Sequence, residues 1–319
     1  MSKNTILVTG SSGFIGFHLS NYLISKKFKI VGVDSLNSYY SVKIKKKRLA
    51  ILKKKKNFSF NKLNLRNKKS LENIFIKYRP SVVIHLAGQP GVLYSFKNPK
   101  SYFVNNVEAT KVICDISKKY RIKKFIFGSS SSIYGDQKKY PIKENFKPNP
   151  KNPYAKTKLM SEKLVLKKFK NTNINFLIFR FFTVYGPFGR PDMFIHKFLN
   201  KIKTKESIKL HNHGLNYRDF TFVGDVVKII HLSVIKKLSN KIFNICRSKP
   251  IVTNQLVKMI IKKFPNYMSK IINKGFVKGE MLKTHGSNKL LLKHIGRLSF
   301  TDIKVGIKIT IREFKKNNF

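Results

Sequence analysis

The sequence predicts an α/β fold, a doubly wound parallel sheet with a smaller C-terminal lobe. Three observations carry that expectation. Short β-branched apolar runs alternate with amphipathic helical stretches along the first half of the chain. A glycine-rich turn joins the first run to the first helix, and the alternation weakens beyond about Gly186. At 319 residues the chain can hold one large domain and a smaller one, each with a core.

Ile6-Leu7-Val8-Thr9 reads as the first strand, and Gly10-Ser11-Ser12-Gly13-Phe14-Ile15-Gly16 follows it into a helix through Leu19, Tyr22, Leu23 and Ile24. Strand, glycine turn and helix together make a dinucleotide-binding motif. Gly10 permits the turn, Gly13 lets main chain approach a pyrophosphate, and Gly16 allows close helix–strand packing. The helix N-terminus then offers N–H groups and a favourable dipole to phosphate. A second strand, Phe28 to Asp34, ends in a carboxylate 18 residues after Gly16, where a ribose-diol acceptor belongs; a carboxylate there favours NAD over NADP. Further strands are expected at Phe58–Leu63, Val82–Leu86, Lys124–Phe127 and Ile174–Phe179. Helices are expected at Leu71–Tyr78, Ser101–Lys119, Tyr154–Phe169 and Met193–Ile202. The expected division is an NAD-binding Rossmann domain over 1–185 and a mainly substrate-binding lobe over 186–319, with residues from about 218 to 246 rejoining the sheet.

The charge is extreme: 67 Lys and Arg against 14 Asp and Glu give +53 at pH 7. One reading is nucleic-acid or anionic-membrane binding. The other is compositional drift, since Lys, Asn, Ile and Phe are abundant along the whole length, and this reading is preferred. The densest cluster, Lys43 to Lys56, is interleaved with Ile44, Leu49, Ile51 and Leu52 and reads as an amphipathic surface helix. No specific nucleic-acid partner is therefore expected. No run of about twenty apolar residues exists to span a membrane. Met1 to Asn4 lead straight into the first strand, which leaves no room for a signal peptide. Cys114 and Cys246 lack metal-ligand spacing; no metal site and a reduced cytoplasmic location are expected.

Chemistry enters with Asn152-Pro153-Tyr154-Ala155-Lys156-Thr157-Lys158. Pro153 suits the first turn of a helix, and Tyr154 and Lys158 then lie one turn apart on one face. An ammonium near a phenol favours the phenolate and makes tyrosine a usable proton acceptor. Alone this spacing is common on exposed helices; its value comes from the glycine turn and Asp34 that precede it.

The glycine motif, Asp34 and Tyr-x-x-x-Lys, in this order, resemble the NAD-dependent epimerase/dehydratase (extended short-chain dehydrogenase/reductase) family over nearly the whole chain. Within it the chain is most similar to the bacterial UDP-glucuronate 4-epimerases. That likeness is carried by Gly32 to Tyr40, Gln89 to Ser95, Ser129 to Gly135 and, most specifically, Arg180 to Met193. The resemblance implies an NAD cofactor held by Gly10, Gly13, Phe14, Ile15, Gly16, Asp34, Asn64, Leu65, Leu86, Ala87, Asn106, Tyr154 and Lys158. It implies Tyr154, Lys158 and Ser130 as catalytic residues, with Ser130 meeting the sugar 4-OH. It also implies a substrate site of Ser130, Ser131, Ser132, Thr183, Arg190 and Arg218, with Thr183 and Arg190 at a sugar carboxylate and Arg218 at the diphosphate. Related dehydratases carry acidic residues where Ser131 and Ser132 stand; two serines offer no general acid, which fits reversible oxidation at C4 alone. A homodimer through a four-helix contact is implied as well.

The expected reaction is interconversion of UDP-glucuronate and UDP-galacturonate through a 4-keto sugar, with no net redox change. Three departures from the family pattern bear on it. Leu93 stands where relatives usually carry an arginine, Asn64 replaces an aspartate that reads adenine, and Tyr217 replaces an arginine before Arg218. Lys97 is the nearest lysine in sequence that could compensate for Leu93. The second enzyme reading is a UDP-glucose or UDP-N-acetylglucosamine 4-epimerase, favoured by Leu93 and opposed by Thr183 and Arg190. A reading of another class is a catalytically lapsed Rossmann protein that binds RNA, which a steep salt-dependent RNA affinity would reveal. Intact Tyr154, Lys158 and Ser130 oppose it.

Overall fold

Strand β1 (Thr5–Thr9) is buried along its whole length, as a central strand covered on both faces must be. In the computed structural model, which describes residues 5–267, 270–275 and 281–317, it lies in a seven-stranded parallel sheet. Residues 1–4, on which the expectation of no leader rests, lie outside the described residues. The other strands are β2 (Lys29–Asp34), β3 (Phe58–Lys62), β4 (Val82–His85), β5 (Lys124–Ser130), β6 (Asn175–Phe181) and β7 (Lys241–Ile245). Their order is β7-β6-β5-β4-β1-β2-β3. The winding reverses between β1 and β4, so a crevice opens beyond the carboxyl ends of those strands.

Side-chain alternation assigns the two faces. Ile6 and Val8 pack toward α1 (Phe14–Ser25) and α7 (Val223–Ile235), with Leu19, Leu23, Val226 and Ile230 in one core. Leu7 points the other way, into a core with Phe75 of α3 (Lys68–Tyr78), Ile113 of α4 (Ala109–Lys119) and Val165 of α5 (Pro153–Phe169). A third core holds Phe198 and Leu199 of α6 (Phe194–Lys203), Leu256 and Ile260 of the helix Thr253–Ile261, and Ile307 of α8 (Ile303–Asn317). Where β1 enters α1, a Cβ at Gly16 would sit 2.0 Å from the Gly10 carbonyl oxygen, so no larger residue fits this turn. Gly10 itself has φ +71°, a conformation only glycine adopts freely.

Two local expectations need correction. The helix expected over Ser101–Lys119 is interrupted: Pro99–Tyr102 is α-helical, Phe103–Glu108 a wider π-turn, and α4 begins at Ala109. Thr110 and Ser161 both donate hydroxyls to the Asn106 carbonyl, drawing it out of the regular ladder. The basic helix, α2 (Val42–Lys53), buries Ile44, Leu49 and Leu52 as an amphipathic surface helix should, but Lys45 and Arg48 are buried beside them rather than solvated. Asp225, in the first turn of α7, accepts from the Thr301 amide at 2.8 Å and the Thr301 hydroxyl at 2.9 Å and ties this helix to the segment that leads into the last one.

Candidate active site

The crevice is a cleft of ≈ 450 Å³. Every residue assigned from the sequence to cofactor, catalysis or substrate lines it: Gly10, Gly13, Phe14, Ile15, Gly16, Asp34, Asn64, Leu65, Leu86, Ala87, Asn106, Ser130, Ser131, Ser132, Tyr154, Lys158, Thr183, Arg190 and Arg218. Leu93 and Lys97 are not among the lining residues, and Leu93 is 63% exposed. A cation lost at Leu93 is therefore not replaced by Lys97.

Asn152 caps α5 by accepting from the Ala155 amide at 2.9 Å, and Pro153 occupies the first turn. This fixes the direction in which Tyr154 enters the cleft. Burial raises the Tyr154 phenol above its usual range, opposed by a hydrogen bond to Ser130 and by the charge of Arg190. Ser130 Oγ accepts from the Ser132 amide at 3.2 Å and the Ser132 hydroxyl at 2.9 Å. Its own proton is then left for the Tyr154 oxygen, the orientation that stabilises a phenolate. Lys158 does not lean on the phenol as the helical spacing suggested. Its Nζ donates to the Gly128 carbonyl and lies 4.4 Å from the Phe127 ring centroid. Burial pulls it down to about 8, with Glu162 one turn on pulling the other way.

Asp34 accepts from the Ser12 amide at 3.0 Å and the Leu36 amide at 2.8 Å, which holds the carboxylate at the end of β2. Carboxylate oxygens keep further lone pairs for a ribose diol. Asn64 is exposed at the rim and its Oδ1 accepts from the Arg66 amide at 3.1 Å. Asn106 is turned to the main chain: it accepts from the Gln89 amide at 2.7 Å and donates to Gln89 O and Thr157 Oγ1, each at 3.1 Å. Arg190 forms a bidentate pair with Asp192, and Arg218 donates to the carbonyls of Tyr217 and Leu282.

Several lining residues went unread in the sequence. Tyr39, Tyr40 and Lys45 come from the loop after β2 and from α2, and Met281 and Thr284 from the C-terminal lobe. Lys45 Nζ donates to Asn37 O at 2.6 Å and lies 4.2 Å from the Tyr40 ring centroid; burial lowers it to about 8, opposed by Asp34. Lys45 and Arg48 fall at the spacing of Ile44, Leu49 and Leu52, the one signal that they face inward. Beneath the catalytic helix, Glu162 and Arg180 form a buried bidentate pair.

The NAD dependent epimerase/dehydratase family profile matches residues 6–246. The chain belongs to that family. A UDP-glucuronate 4-epimerase of Thermodesulfobacterium geofontis is 34% identical over 98% of this chain and 96% of its own length. Among solved structures, the UDP-glucuronic acid 4-epimerase of Bacillus cereus, in complex with UDP-glucuronic acid and NAD, superposes with a TM-score of 0.92 at 28% identity, covering 98% of this chain and 99% of that one. A UDP-glucose 4-epimerase of Thermotoga maritima, with UDP-glucose, gives 0.90 at 29% identity over 99% of this chain and 100% of that one. The fold and the family expectations hold, and the cofactor of the family is NAD. The glycine turn fits it: a Cβ at Gly10 would lie 2.8 Å from the Ala87 nitrogen, so bare main chain is what borders the phosphate end.

Proposed function

We propose that this protein epimerises UDP-sugars at C4 and that its substrates are UDP-glucuronate and UDP-galacturonate. The observation that carries this reading is one cleft bordered by the glycine turn, the Ser130–Tyr154 pair, the serine run and Arg190. Tyr154, as phenolate, takes the 4-OH proton and later returns it, with Ser130 donating to its oxygen and the positive charge of Lys158, one turn on, favouring the phenolate. Bound NAD supplies the acceptance and return of hydride at sugar C4. The 4-keto sugar turns between the two transfers and presents its other face to Tyr154. A 4-keto uronate is a β-keto acid and loses carbon dioxide when the breaking bond aligns with the carbonyl π-system. Ser131, Ser132 and Thr183 hold the carboxylate in the ketone plane and so oppose that loss. Arg218 takes the diphosphate. Residues 1–185 with about 218–246 serve the cofactor, and the remainder mainly the sugar nucleotide.

UDP-glucuronate and UDP-galacturonate should interconvert without carbon dioxide release. Arg190→Ala should slow both at least about tenfold while sparing neutral sugars, since a charge-assisted hydrogen bond contributes on the order of 1.5–3 kcal/mol. The pairing of Arg190 with Asp192 and the exposure of Leu93 favour a second reading, a neutral-sugar epimerase. Preference for UDP-glucose in a panel of UDP-sugars, or equal loss on acidic and neutral sugars in the variant, decides for that reading.

Asp34 repels a 2′-phosphate, so NAD should bind more tightly than NADP. A competition titration with equal or stronger NADP binding would remove Asp34 from the discriminating role.

We also infer a homodimer. Phe96, Phe103 and Met160 are exposed at 51%, 41% and 43% along the edge of α5 and the segment before α4, an apolar face suited to a second copy. Light scattering should give twice the 37.0 kDa chain mass, and Met160→Glu should return it to one chain. Among the described residues no helix is long and apolar enough to cross a membrane and no group of side chains could hold a metal ion. Cys114 and Cys246 are free and buried, which suits a cytoplasmic location.

A further inference from the structure

Arg48 is 0% exposed, yet among the described residues no carboxylate pairs with it. A guanidinium has five N–H donors, and each of them finds an acceptor here. Nε and Nη2 donate to Phe188 O at 3.1 and 2.6 Å, and Nη2 also to Gly189 O at 3.2 Å. Nη1 donates to Ser12 O at 3.0 Å and to the Tyr40 hydroxyl at 2.8 Å. Burying a cation among dipoles alone is costly unless every donor is satisfied. The arrangement therefore has few alternative geometries.

The acceptors belong to three loops that converge on the cleft. Ser12 precedes Gly13 in the cofactor turn, Gly189 precedes Arg190 in the sugar loop, and Tyr40 lines the cleft between them. The sugar loop has two further anchors: His18 Nε2, on the helix that continues the cofactor turn, to Pro187 O at 2.8 Å, and the Gly189 amide, which donates to His196 Nε2 at 2.9 Å. Arg48 hydrogen-bonds the cofactor turn at Ser12 O and the sugar loop at Phe188 O and Gly189 O through one planar group.

We propose that Arg48 is a positioning residue that couples the two halves of the site: with the cofactor turn seated, it holds the Phe188–Gly189 main chain, and hence Arg190, in register for the sugar nucleotide, and the reverse. Linkage makes such coupling reciprocal. The inference rests on the sugar-nucleotide reading above, so its test uses UDP, which does not depend on which sugar is turned over.

Holoenzyme loaded with NADH is mixed with excess NAD, and the loss of NADH fluorescence is followed with and without saturating UDP. In the wild type UDP should slow release at least about fivefold, within the usual range of coupling. In Arg48→Met, release should be about tenfold faster and UDP should change it by less than about twofold, although UDP still binds by calorimetry. Tyr40→Phe, which removes one of the five bonds, should weaken the UDP effect partially. If Arg48→Met does not fold, Arg48→Lys decides, because an ammonium keeps the charge but cannot span all three loops. A folded Met or Lys variant with the full wild-type UDP effect overturns the proposal. So does wild-type release that bound UDP leaves unchanged. A wild type that does not bind UDP at all overturns the sugar-nucleotide reading together with the proposal.

Discussion

Tyr154→Phe is expected to lower turnover by at least about 10²–10⁴-fold while leaving UDP-sugar affinity nearly intact. The ring remains edge-on to Tyr102, with centroids 6.1 Å apart, so packing survives and only the transferable proton is lost. Ser130 cannot take over, because its hydroxyl, held by two donors from Ser132, lacks the acidity to act as base near neutral pH. Ser130→Ala should accordingly reduce the rate less, since Tyr154 stays in place and loses one stabilising donor. Single-turnover rates beside calorimetric binding separate these effects. A Phe variant of near-normal rate would take Tyr154 out of acid–base chemistry, whatever its position in the cleft.

The glycine turn and Asp34 were legible because their chemistry is local: main-chain turns and strand ends are written in consecutive residues. Helix α5 was legible for the same reason, from Asn152 and Pro153. What the sequence did not disclose depends on long-range partners. The Lys158 ammonium takes the Gly128 carbonyl, an acceptor thirty residues away in sequence, over the phenol one turn distant. Arg190 reads as free to meet a carboxylate, and Asp192 fills its fork because the chain turns back between them. The regular helix through Asn106 was expected from periodicity alone, and hydroxyls from Thr110 and Ser161 override it. Arg48 was lost among the nine Lys and Arg of the segment from Lys43 to Lys56, where composition hides the single inward-facing guanidinium.

Glu162 shows the same limit and carries the second large expectation. It lies on α5 one turn beyond Lys158 and is bidentate with Arg180 of β6 at 3.1 and 2.9 Å, the two side chains being only 2% and 5% exposed. Ser129, next to Ser130, also donates to it, and Arg180 continues to the Tyr134 hydroxyl at 2.8 Å. One carboxylate thus joins the catalytic helix to the two strands beneath it. Glu162→Ala leaves a buried guanidinium without its counter-charge and should destabilise the protein by about 3–5 kcal/mol in urea unfolding. Glu162→Gln separates electrostatics from packing, since it keeps the volume and part of the bonding. The Glu162 charge supports the ammonium of Lys158, which burial has lowered to about 8. Lysine is charged below its pKa, so removing that support moves the loss of charge to lower pH. The alkaline limb of the pH–rate profile in Glu162→Gln should shift downward while the fold persists. An unshifted limb would free Lys158 from Glu162, and a destabilisation below about 1 kcal/mol in Glu162→Ala would show that Arg180 finds adequate partners in Tyr134 and the Glu144 carbonyl.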